Sequence, residues 1–424
     1  MKTKIIFRIN LILFIILLPG FYQKIFSGLK GGTAKVNITP PVGICWAFDN
    51  KPLVDIADEL YAKALVLDDG FTKIAIISTD LLWIPGNMTL EIRRLIKEKT
   101  GIPEVNILVC ATHTHYVPNI YSRHVTTSPI DTPYVQTLTK QIASSVFIAY
   151  KNMKDVKVGA AKGEIPEIIY NRRTKRTDGT IQMSFTLPQD TSELIFGPID
   201  PEVGIIRIED NNSNILASVI NFSCHPTSAG YEDMSYVISA DYPGYTTKVI
   251  EQMEGGICLF TLGTAGDIVV IERGEKQRQQ IGTALGAEVL RRIQRVPTTD
   301  DVSIKVLKKN VTLPLKKKIS SDSILYSDST KNYINTEIQA FSIGDIYILG
   351  LPGENLVELG LEIKNRFRDK NLFIITLSND IVGYVCHSEA YDEGGYEPTR
   401  GTNLAKGVGE IIIQESVNIL NQLK

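Results

Sequence analysis

Val109-Cys110-Ala111-Thr112-His113-Thr114-His115 is the stretch whose reading decides this chain. It ends an apolar, β-prone run, Val105-Asn106-Ile107-Leu108-Val109, which the pattern predicts to be a buried strand. Both histidines then fall just past the carboxyl end of that strand, where open α/β sheets gather their ligand sites. Side chains at i and i+2 of an extended segment point to the same side. Imidazole is the commonest metal ligand and a natural proton carrier near neutral pH. Taken alone, the stretch fits a pair of surface histidines on a loop equally well, so the surrounding chain must choose.

Composition sets the frame. The 424 residues are 43% hydrophobic and 22% charged, enough for a large core in two or three domains or one large α/β unit. A formal net charge of −2 offers nucleic acid no electrostatic footprint. Lys2, Lys4 and Arg8 precede the apolar run Leu11–Leu18, which is too short to span a membrane comfortably. Residues 1–27 therefore read as a secretory signal, with an uncleaved anchor as the other reading, and the protein is expected outside the cytoplasm. Cys45, Cys110, Cys224, Cys258 and Cys386 form no CxxC pair and argue against both a disulfide framework and a cysteine-based zinc site.

Outward from the histidines the chain mixes hairpins with β–α units. Leu60–Asp68 with Lys73–Thr79, Val203–Ile208 with Ile215–Phe222, and Glu337–Ile343 with Ile346–Leu351 alternate or run apolar around turn residues, and predict three hairpins. Val302–Leu313, stopped by Pro314, predicts an edge strand. Helical spacing appears at 91–99, 133–151, 277–294, 356–367 and 404–423. The expectation is an α/β (α+β) fold with mixed β-sheets flanked by helices and a site at the strand ends.

Polar residues recur at those ends: Asp80, His113 and His115, His225, Gly266-Asp267, Glu354 and Asn379-Asp380. Strand ends of one sheet converge on one edge, so these groups can share a cleft. Two or three histidines with one carboxylate make a catalytic zinc site, and zinc acidifies water and polarises carbonyls. No HExxH is present, so ligands must come from distant segments. Each residue also has a structural reading. His225 could close a strand, Glu354 could begin a helix, Asp267 could cap a turn, and Tyr384 and Tyr396 could pack with a wet hydroxyl.

Several segments in order resemble the catalytic, N-terminal domain of the neutral/alkaline non-lysosomal ceramidase family. They are Ala34–Pro41, Ala111–His115, Tyr170-Asn171-Arg172, Cys224–Thr227, Gly263–Asp267, Leu351–Glu354, Gly383-Tyr384, Glu389-Ala390-Tyr391 and Gly395-Tyr396-Glu397. The resemblance implies a zinc ion held by His113, His225, Glu354 and Tyr384. It implies His115 as the neighbouring proton-handling residue, and Arg172 and Tyr396 at the substrate carbonyl. Asp80, Asp241 and Asp267 are candidates for support behind the ligands or for a second metal. The implied activity is hydrolysis of an N-acyl (amide) bond in a small-molecule or lipid-like substrate of sphingolipid type, compatible with peripheral membrane contact.

The same resemblance implies that residues 28–424 form one ceramidase-like domain without the immunoglobulin-like domain that follows it in full-length relatives. Two departures touch the substrate side. Val269 stands where the family carries a serine, and Tyr116-Val117-Pro118-Asn119 replaces the usual Ser-Gly-Pro-Gly. Ceramide need not be the substrate, and the alternative is a ceramidase-like protein that binds a lipid or glycan without turnover.

Overall fold

Strands that are apolar at every position must be covered on both faces, and here two stacked sheets and two helical layers provide the cover. The computed structural model describes residues 28–49, 51–120, 130–230, 236–316 and 332–424. The predicted signal segment, His124 and part of the polar stretch 315–335 lie outside these residues. The first sheet runs β1 (Lys30–Asn37), β2 (Tyr61–Asp68), β3 (Lys73–Thr79), β4 (Ile107–Ala111), β5 (Lys154–Glu164), β6 (Glu202–Asp210), β7 (Ile215–Phe222) and β8 (Ile257–Leu262). Its spatial order is β8-β7-β6-β5-β1-β2-β3-β4. The second sheet is β9 (Ile304–Pro314), β10 (Tyr333–Ile343), β11 (Ile346–Gly350) and β12 (Asn371–Ile375), side by side in that order.

Strand β2 illustrates the layering. Ala62, Ala64 and Val66 turn one way, Leu65 and Leu67 the other, and all five are buried. The first set packs against helices α1 (Gly86–Thr100), α2 (Thr132–Lys151), α3 (Asp241–Glu254) and α4 (Glu275–Ile293). The second set meets the inner face of the second sheet through Phe341, Ile348 and Phe373. Beyond that sheet lie α5 (Val357–Arg366) and α8 (Val408–Leu423), with α6 (Ser388–Glu393) and α7 (Tyr396–Thr399) as short turns between them. The order is helix, sheet, sheet, helix.

All three expected hairpins are present, as the antiparallel pairs β2–β3, β6–β7 and β10–β11. Strand β9 is the expected edge of its sheet. The helix expected at 91–99 begins earlier, at Gly86, after Pro85. Helix α3 has no counterpart in the sequence reading, which assigned nothing to its residues, and Pro243 and Gly244 stand in its first turn. Proline is nevertheless compatible with a first helical turn, where no intrahelical partner is lost. None of the five cysteines is disulfide-bonded.

Pairs of neighbouring parallel strands close both edges of the first sheet, β3 with β4 and β7 with β8, and β11 with β12 forms a third pair in the second. The first sheet curls until β8 returns to β2 and β3. The Ser78 hydroxyl donates to the Phe260 carbonyl, and the Lys63 ammonium to the Cys258 carbonyl. The tail of β12 is sewn to the same region, with Asn379 N–H donating to Val109 O (2.7 Å) and Thr376 N–H to Leu262 O (2.8 Å). Curl and seam together bring the three pairs of carboxyl ends to one place.

Candidate metal centre and substrate groups

His113 comes from the end of β4. Its backbone N–H donates to Leu81 O (2.9 Å), and its ring Nδ1 lies 2.7 Å from Leu82 O, both on the chain leaving β3. The residue has φ +71°, a left-handed conformation uncommon for a residue with a side chain. His225 repeats the scheme at the end of β7. Its N–H donates to Ile268 O (2.9 Å), and its Nδ1 lies 2.5 Å from Ala265 O, both on the chain leaving β8. A ring nitrogen this close to a carbonyl oxygen must carry the hydrogen, so in the neutral ring each Nε2 keeps its lone pair.

Those two lone pairs aim at one carboxylate oxygen. Glu354 Oε2 lies 3.2 Å from His113 Nε2 and 3.3 Å from His225 Nε2. His113 Nε2 and Glu354 Oε2 are buried and make no proper hydrogen bond among the described residues. Burial would push the Glu354 carboxyl up, but His113 and then His225 outweigh it and hold it well below the usual range. Burial first and the Arg172 guanidinium second push the His225 ring down to about 4. A buried carboxylate oxygen and two imidazole Nε2 atoms directed at one another form a pocket that a bound cation would satisfy.

The other donors are close. Glu354 and Tyr384 pair side by side in a short parallel ladder just past β11 and β12. The Tyr384 hydroxyl is 3.1 Å from Arg172 Nη2 and 3.5 Å from His225 Nε2. The ligand atoms of His113, His115 and His225 lie within 4.8 Å of one another, so these three could hold a metal ion. The His115 ring stands 5.0 Å from that of His113 and 5.8 Å from that of His225. Burial first, then the two neighbouring rings, push it well below the usual imidazole range. Behind it, Phe48 lies 4.9 Å away ring to ring, and the Trp46 indole donates to His115 O (2.7 Å).

Arg172 follows a short strand, Ile169–Asn171, that pairs antiparallel with Ile268–Val270. It is buried, donating from Nε to Glu397 Oε1 (2.8 Å) and from Nη2 to Gly266 O (2.8 Å) and the Tyr384 hydroxyl. Phe185, Tyr384 and Tyr396 surround the guanidinium with ring centroids 5.1, 5.7 and 6.0 Å from its carbon. Tyr396 opens α7 and meets Tyr384 edge to face at 5.6 Å.

His113, His115, His225, Glu354, Tyr384, Arg172 and Tyr396 thus converge. The three aspartates stand apart from the ligand atoms. Asp267 accepts from Asn171 Nδ2 (2.8 Å) and Val357 N–H (2.9 Å), bracing the segments that carry Arg172 and α5. Asp241 accepts from the backbone and hydroxyl of Ser228 and so braces the loop leaving His225. Asp80 accepts from Tyr61 N–H (2.9 Å) and lines a separate cavity of about 340 Å³ with Lys35, Lys63 and Glu251. Glu397, Phe48, Phe185 and Trp46 were assigned no role from the sequence. Glu397 stood there only as the last residue of the Gly395-Tyr396-Glu397 segment that carries the resemblance.

Residues 46–267 match the family model described as neutral/alkaline non-lysosomal ceramidase, N-terminal. Neutral ceramidase B of Dictyostelium discoideum is 25% identical over 213 residues, covering 48% of this chain and 28% of that protein. Neutral ceramidase of Mycobacterium tuberculosis is 25% identical over 212 residues, covering 47% and 32%. The matched stretch spans less than a third of the length of these relatives. Among solved structures, neutral ceramidase from Pseudomonas aeruginosa superposes with a TM-score of 0.73 at 17% identity, over 93% of this chain and 75% of that one. A ceramidase complexed with C2 gives 0.72 at 17% identity, over 93% and 76%. The fold is shared with both.

Proposed function

The chain belongs to the neutral/alkaline non-lysosomal ceramidase family, and from that premise we propose that it is a zinc-dependent hydrolase of an N-acyl bond in a lipid-like substrate. The observation that carries the reading is the buried Glu354 oxygen within 3.3 Å of two imidazole Nε2 atoms whose Nδ1 sides are committed to carbonyls. Three nitrogen and oxygen donors with a nearby phenol suit zinc. His113, His225, Glu354 and Tyr384 would hold it, and it supplies Lewis acidity, which acidifies water and polarises a carbonyl.

The protein's own groups complete the chemistry. His115 is held neutral, so it can accept a proton and return it to the departing amine. Arg172 is anchored as a cation and, with Tyr396, faces the charge that develops on the amide oxygen. Phe48, Phe185 and Trp46 give the surroundings an apolar wall suited to a hydrocarbon chain. The basic and apolar N-terminal stretch supports export of the protein.

A second reading, ligand binding without turnover, has one observation in its favour. Val269 is fully buried, its backbone pairs with Tyr170, and it offers the substrate no hydroxyl. Metal analysis followed by assay of ceramide and a small set of other N-acyl amides, with and without chelator, separates the two. The first reading expects one zinc per chain and chelator-sensitive hydrolysis. Stoichiometric zinc without hydrolysis of any amide would favour the second, and a metal-free, inactive protein would overturn both the metal and the hydrolase.

A further inference from the structure

We infer that Glu397 is the positioning residue that aims Arg172 at the substrate. The inference rests on the hydrolase reading above. Glu397 is fully buried, and a carboxylate in such a place needs partners for both oxygens. It has them in two consecutive arginines: Oε1 accepts from Arg172 Nε (2.8 Å), and Oε2 from Arg173 Nη1 (3.0 Å). Arg173 is further tied to Gly394 O (3.0 Å) and Glu393 Oε2 (3.2 Å), so it anchors the carboxylate from outside the site.

Arg172 has five N–H bonds in one rigid plane. The Nε–H is taken by Glu397, and the two Nη2 hydrogens go to Gly266 O and the Tyr384 hydroxyl. Nη1 makes no hydrogen bond among the described residues, which leaves its two donors for a ligand. Three fixed bonds set the plane, and the one to Glu397 carries the opposite charge and is the strongest of them. The same side chain belongs to the residue after Tyr396, so one short turn orients both the guanidinium and the phenol on the substrate side. The Glu397 carboxylate hydrogen-bonds to none of the candidate metal ligands among the described residues, and it acts through Arg172.

The test compares Glu397→Gln with Glu393→Gln, which loosens the same turn without touching Arg172, in the full chain. Nitrogen-15 spectra of metal-free protein report the Arg172 Nε–H, identified by its absence in Arg172→Lys. A slowly exchanging Arg172 signal is expected in wild type and Glu393→Gln, and its loss or broadening in Glu397→Gln. An unchanged signal in Glu397→Gln overturns the inference even if the protein proves to hydrolyse nothing. For any N-acyl substrate turned over, Glu397→Gln should lower kcat/KM by about tenfold to a hundredfold with zinc content unchanged. It should cost little more when added to Arg172→Lys, whereas full additivity in that double variant, or an equal loss from Glu393→Gln, marks a merely structural role.

Discussion

His113 owes its place to backbone shape as much as to its ring. A left-handed φ turns the chain sharply after β4, and carbonyls of the β3 tail then fix both its N–H and its Nδ1. Spacing alone placed the two histidines at a strand end without separating their roles; the family resemblance is what assigned His113 to the metal and His115 beside it, and the structure adds the ring partner of His113. The roles of Glu397 and Phe48 were not legible, although Glu397 stood inside a quoted family segment: their work lies in what they touch across the fold, 225 residues away in the case of Glu397 and Arg172. Replacing Glu354 by glutamine keeps the shape and removes the charge that a cation would balance. Wild-type protein at zinc a thousandfold above its dissociation constant should gain about 4 kcal/mol over the metal-free form. The Glu354→Gln variant should gain far less, as read from thermal melts with and without zinc.

Asp80 makes a separate prediction about pH. Burial lifts its carboxyl to about 6, against a partly opposing Lys63 ammonium. The folded state therefore holds the proton more tightly than the unfolded chain, and this carboxylate costs stability once it ionises. The cost is absent below about pH 4, grows as pH rises to about 6, and is constant above that, reaching at most about 3 kcal/mol. Denaturant titrations should show wild type losing ground to Asp80→Asn across that window. Parallel curves for the two proteins would remove Asp80 as a titrating group.

At the scale of elements, the hairpins were legible because period-two apolar runs met the turn residues Asp69-Gly70, Asp210-Asn211-Asn212 and Gly344-Asp345. The packing of α3 on α4 was not legible, since the sequence reading assigned nothing to the residues of α3. That packing depends on a close approach at Gly282, where an added Cβ would come within 2.4 Å of Tyr245 Cβ and 2.8 Å of Tyr242 O. Alanine would gain about 1 kcal/mol in helix propensity. The crowding includes backbone and cannot be relieved by a side-chain rotation, so overpacking of about 1–3 kcal/mol should win. Gly282→Ala is expected to lower the denaturant midpoint. A rise would mean that α3 and α4 can separate at little cost.

Over the whole molecule, a mixed α/β class was readable from alternating elements, but the stacking of two sheets was not. Nothing local says that β8 curls back to β2, or that the β12 tail bonds to Val109 and Leu262. The four candidate ligands divide across that seam, His113 and His225 on the first sheet, Glu354 and Tyr384 on the tails of the second. A bound metal would then join the layers, and its removal should be felt away from the site. Hydrogen exchange with and without chelator should show faster exchange at Val109, Thr376 and Asn379 in the stripped protein, with the far ends of β5 and β9 unchanged. Uniform behaviour along the seam would argue against a joining role.

The three parallel strand pairs also carry a consequence for biosynthesis. A ribosome releases His113 and His225 long before Glu354 and Tyr384, and domains of this size take shape as the chain emerges. The two imidazoles alone offer an incomplete cradle, and the Glu354 carboxylate that would balance a divalent ion arrives only with the second sheet. The order of synthesis thus withholds the complete donor set until nearly the last strands are made, so a nascent chain cannot assemble the candidate metal centre before its second sheet exists.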